Sequence, residues 1–96
     1  MNIIWSNEAK ITYEQIIDDL IAKWNLEIVL LFESKTNKLL DNLKFNNKLC
    51  PKSSYKNLRK CVIHKNVSLI YKLNKRNIEI VTFIFNRDNH GFYLEF

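Results

Sequence analysis

A chain of 96 residues with 47% hydrophobic residues is long enough to bury one core without help from metals or crosslinks. Its single glycine, Gly91, and single proline, Pro51, exclude the glycine-rich phosphate loops of nucleotide-binding folds. A net charge of +5 turns attention instead to acidic partners.

The start MNIIWSNEAK has neither the charged nor the long apolar region of a signal peptide, and the longest apolar run, residues 28–32, cannot span a bilayer. These features predict one domain over residues 1–96, cytoplasmic, with no membrane contact and no metal or small-molecule cofactor. Cys50 and Cys61 lie eleven positions apart with no CxxC pattern, and they read as two ordinary reduced thiols.

In chain order, residues 2–5 read as a short strand, after which Ser6 offers an N-cap. From residue 8 to 24, Ala9, Tyr13, Ile16, Ile17, Leu20, Ile21 and Trp24 recur at the spacing of one helix face, with Trp24 and, further on, Tyr71 expected in the core. Asn25 caps the next helix, whose apolar positions are Val29, Phe32, Thr36, Leu39, Leu40 and Leu43. Two such helices joined by a tight link make an antiparallel hairpin that needs a surface to cover. After a polar loop come three strand-like runs, residues 58–64, 67–73 and 78–85, with turns at 65–66 and 74–77. The last run is apolar on both faces over its second half, as a central strand would be, and the N-terminal strand fits beside it. The expected fold is α+β: an N-terminal strand and a two-helix hairpin packed on a small antiparallel sheet. The face away from the helices is left for a second small core, a partner or a shallow cleft.

Charge is unevenly placed. Residues 1–41 sum to −3 and residues 79–96 to −2, whereas residues 42–78 hold ten bases and no acid. A blank that long puts one positive face on the domain. Only three of the fifteen bases are arginines, Arg59, Arg76 and Arg87, and arginine is the residue suited to planar, bidentate contacts.

The element order, the opening IIWSNEA, the tryptophan ending the first helix, and LRKCVIHKNVSLIYKL followed by IEIVTFIFNRDNH resemble the RelE/ParE superfamily of bacterial type II toxin–antitoxin toxins. The resemblance covers nearly the whole chain. It implies a toxin held inactive by a cognate antitoxin protein. RelE-like members cut mRNA on the ribosome without a metal; ParE-like members poison DNA gyrase and are not known to hydrolyse anything. Both remain open here, as does a basic domain that binds its antitoxin and is no longer toxic.

RNA cleavage by the ribose 2′-OH needs a proton acceptor, positive charge for the phosphorane oxygens and an acid for the leaving oxygen. By position, the resemblance assigns catalytic roles to Arg59, before the hairpin, and Arg87, just past the last strand. Tyr93 and His90 follow as stacking or proton-donating groups. Lys52, Lys56, Lys60 and Lys65 are the expected nucleic-acid contacts. Each has a plainer alternative: Arg59 pairing with a carboxylate of the hairpin, Arg87 with Asp88, His90 solvated in its loop, Tyr93 packed in a last strand, and His64 capping a hairpin face.

Overall fold

The computed structural model describes residues 1–53 and 56–86, and within them the chain runs strand, helix, helix, strand, strand, strand. The elements are β1 (Asn2–Trp5), α1 (Asn7–Lys23), α2 (Leu26–Phe45), β2 (Arg59–His64), β3 (Val67–Leu73) and β4 (Asn77–Phe85). The last three begin and end within one residue of the bounds expected from the alternation of apolar side chains.

Both helices start on side-chain caps. Ser6 has extended backbone, and its Oγ accepts from the Ala9 amide at 2.9 Å. The same hydroxyl donates to the Val81 carbonyl at 2.7 Å, so one side chain begins α1 and ties it to β4. Asn25 does the first of these jobs for α2, its Oδ1 accepting from the Ile28 amide at 3.0 Å. Trp24 departs from the expected core position: it is 65% exposed. It is the C-cap of α1, with ψ at −116°, so the helical phase that would aim it inward ends one residue before it.

The sheet order is β1-β4-β3-β2. β2, β3 and β4 pair antiparallel, while β1 joins β4 in parallel, Ile3 beside Ile78, which makes the sheet mixed. The helices cover one face. Beneath them Ile16, Phe32, Leu43, Leu69, Tyr71, Ile78 and Ile80 are buried, with Trp5, Tyr13 and Phe83 in edge-on and tilted ring contacts at 5.1–5.3 Å. Val67, Leu69 and Tyr71 point to that core, and Ile70 points to the opposite face, where it meets Leu58 and Ile84 in a second small core. β4 is therefore buried on both sides, as its sequence suggested.

Two irregularities matter for placement. The register shift between β3 and β4 is locked from the helix side by Thr12, whose Oγ1 accepts from the Phe83 amide at 3.0 Å. A bulge in β2 sets His64 opposite Val67, so its ring joins Leu20, Ile28 and Val67 around an apolar notch at the ends of the helices. No helix among the described residues is long and apolar enough to cross a membrane.

Candidate nucleic-acid interface

β2 is an edge strand, and the chain leaving α2 runs back along its first half. The Lys60 amide donates to the Pro51 carbonyl at 3.1 Å, the Ser53 amide to the Leu58 carbonyl at 2.6 Å, and Lys52 bridges Arg59 in antiparallel register. With residue 52 opposite 59, residue 50 falls opposite 61. Cys50 and Cys61, expected as reduced thiols, are accordingly joined in a disulfide with their Cα atoms 5.3 Å apart. Eleven positions of spacing hide this, because the contact exists only once the chain has doubled back on itself.

Arg59 lies on the helix-bearing face, opposite Tyr71. Its guanidinium meets no carboxylate of the hairpin. Nη1 instead donates to the carbonyls of Cys50 at 2.8 Å and Lys48 at 3.4 Å. Tyr71 closes the same loop from below, its buried hydroxyl donating to the Asn47 carbonyl at 2.7 Å. Burial pushes the Tyr71 phenol above its ordinary value, while the Cys50 amide and the Arg59 guanidinium pull it back down. The phenol stays neutral and keeps its proton for Asn47.

Above this clamp, Lys48, Lys52, Asn57, Arg59 and Leu73 line a shallow cleft of about 270 Å³. Among the described residues, three cationic side chains line it and no acid does. The two carbonyls engage Nη1 and leave the rest of the guanidinium's five donors for another acceptor. An arginine anchored by main chain and flanked by two lysines suits an oxyanion such as a phosphodiester.

The other expected contacts are dispersed. Lys56 and Asn57 form a left-handed turn into β2, with φ of 50° and 57°, strained for a lysine and tolerable for an asparagine. Lys60 alternates with Arg59 and therefore projects to the opposite face of the sheet. Lys65 sits in the β2–β3 turn, six strand residues or roughly 20 Å from the cleft. Lys72, within the acid-free stretch, pairs with Glu79 across the strands at 3.7 Å. Arg87, His90 and Tyr93 lie outside the described residues. Asn86, the last described before them, is at the Lys65 end, its amide donating to the Asn66 carbonyl at 2.7 Å.

The sequence reading brought out Lys52 and Arg59 but missed Lys48, Asn57 and the hydroxyl of Tyr71. Lys48 carried a faint signal, standing four residues before Lys52 in the acid-free stretch. Among the described residues no group of three His, Cys, Asp or Glu could hold a metal ion.

No protein-family model matches the sequence, and no curated protein matches it significantly. Solved structures do. The chromosomal ParDE toxin–antitoxin system of P. aeruginosa matches with a TM-score of 0.74 at 16% identity, over 88% of this chain and 95% of that one. This chain has the RelE/ParE toxin fold. A YoeB/ParE toxin from Agrobacterium tumefaciens matches with a TM-score of 0.65 at 16% identity, over 88% of this chain and 98% of that one. The E. coli DinJ–YafQ complex matches with a TM-score of 0.59 at 19% identity, over 94% of this chain and 98% of its counterpart. The toxin fold is thus shared over almost the full length of each chain, at identities too low to transfer a target.

Proposed function

We propose that this chain is the toxin of a type II toxin–antitoxin system and arrests growth by ribosome-dependent cleavage of mRNA. The observation that carries the reading is the cleft in which Lys48, Lys52 and the carbonyl-anchored Arg59 converge, with no acid among the described residues that line it. Positive charge fixed before substrate arrives is what the phosphorane transition state of 2′-OH attack requires, because no reorganisation is needed as charge develops. In this reading Lys48 and Lys52 hold the RNA backbone and Arg59 stabilises the phosphorane. Arg87 follows Asn86, which lies at the Lys65 end, and is assigned to the RNA backbone rather than to this phosphorane, and Tyr93 or His90 protonates the leaving 5′-oxygen. The partner that silences the toxin is an antitoxin whose acidic segment covers the basic edge, complementary charge speeding its capture.

Induction in a bacterial host, with pulse-labelling of protein and DNA, tests this. Methionine incorporation should stop before thymidine incorporation falls, and a folded Arg59→Ala/Arg87→Ala double variant should be harmless. Retained toxicity in that folded variant would sink the site assignment.

One observation favours a second reading, a ParE-like gyrase inhibitor without catalysis. Ile21, Trp24, Leu26 and Leu30 are all more than half exposed around the link between α1 and α2. Such a strip offers a protein partner more than it offers RNA. Here DNA synthesis would fail first, and Trp24→Ala would disarm the protein while the arginine variants would not.

A further inference from the structure

We infer that the Cys50–Cys61 disulfide is a redox latch on the basic cleft: its reduction by a dithiol frees residues 46–53 and loosens the cleft's hold on phosphate. The inference rests on the RNA-binding reading of that cleft and adds a condition under which it operates.

Three placements support it. First, the crosslink and the clamp share a residue, because the carbonyl of Cys50 is the nearer acceptor of the Arg59 guanidinium. Second, residues 46–53 carry Lys48 and Lys52, two of the three cations that line the cleft, and they flank an edge strand rather than lying inside the sheet. Beside the crosslink, the segment is held by individual hydrogen bonds, among them Lys60 to Pro51, Ser53 to Leu58 and Tyr71 to Asn47. Such bonds at an edge open locally far more readily than a covalent tie. Third, the two cysteines line a surface depression of about 410 Å³ together with Leu39, Leu49, Pro51 and Val62, so a small dithiol can approach although both residues are buried.

The chemistry balances as ordinary exchange. A thiolate of the dithiol attacks one sulfur, breaking the Cys50–Cys61 bond and forming a mixed disulfide. Its second thiolate then closes the dithiol's own disulfide and releases the other half. The protein gains two electrons and two protons as two thiols, and the dithiol loses the same. No volume is lost at the site, so what changes is the tether: the segment can sample positions in which Cys50 O no longer meets Arg59 and the lysines no longer face it.

The test uses the full chain, oxidised and after dithiothreitol, with mass spectrometry to count thiols. Amide exchange at Ser53 and Lys60 and affinity for a short single-stranded RNA are both measured. Reduction should speed exchange at these amides and weaken RNA binding about tenfold, as expected when two cationic contacts loosen. The Cys50→Ser/Cys61→Ser variant should match the reduced protein with or without dithiothreitol. Unchanged exchange and unchanged affinity after verified reduction would overturn the latch, as would a crosslink that dithiothreitol leaves intact. Faster exchange with no RNA binding in either state would instead support the release of the segment and remove the RNA reading.

Discussion

Replacing Tyr71 with Phe removes one oxygen from beneath the loop that carries Lys48 and leaves the ring, which is wholly buried, in place. The lost bond is the 2.7 Å contact to the Asn47 carbonyl, which is left inside the loop without that donor. A neutral hydrogen bond of this kind contributes about 1 kcal/mol net, and orphaning its acceptor adds to that, so the variant should lose about 1–2 kcal/mol. For a domain of this size each kcal/mol is worth about 4–8 °C, so the melting temperature should fall by about 4–16 °C. The pH dependence offers a second check. Burial raises the Tyr71 phenol above its ordinary value of 10.0, so folding favours the neutral form. That stabilisation is fully present below the unfolded value and is lost as pH rises through the folded one. Tyr13 has the same sign, raised by burial and by Glu33, so the wild type should weaken steeply above pH 10.0 and Tyr71→Phe less so. Thermal unfolding followed by circular dichroism at neutral and alkaline pH reads both arms. An unshifted melting temperature together with an unaltered alkaline slope would refute the role given to the hydroxyl.

Ser6→Ala removes the α1 cap and the tie to Val81 together, and it should cost about 1–2 kcal/mol in denaturant unfolding. Phe32→Ala empties a fully buried position under the hairpin and should cost about 3–5 kcal/mol, enough to leave a visible unfolded fraction. Lys48→Ala/Lys52→Ala should weaken binding to single-stranded RNA and flatten its dependence on log salt by roughly 1.4, two phosphate contacts at about 0.7 each. Lys65→Ala, on the far side of β2, should change that slope less.

Much of the fold was legible because its elements announce themselves locally. Alternation in VSLIYKL and a doubly apolar IEIVTFIF located β3 and β4 and marked the second as central, and Ser6 and Asn25 flagged both helix starts. Local periodicity misled at Trp24, which continues the apolar count of α1 but sits where the backbone has already left the helix. The site was less legible because its contacts are made by main chain. Arg59 was expected to meet a carboxylate or a substrate, but the carbonyls of Lys48 and Cys50 leave no mark on side-chain pattern. The disulfide was hidden for the same reason, since only the register of residue 52 on residue 59 brings the two cysteines together. His64 turns toward the helices through a bulge that no alternation reveals.

The central claim meets its most direct test in primer extension on mRNA from a purified translation system, with wild-type protein, Arg59→Ala and no protein. New ends at ribosomal A-site codons, present with wild type and absent with the variant, are the expected result. Intact mRNA in the presence of folded wild-type protein that still arrests growth would contradict it.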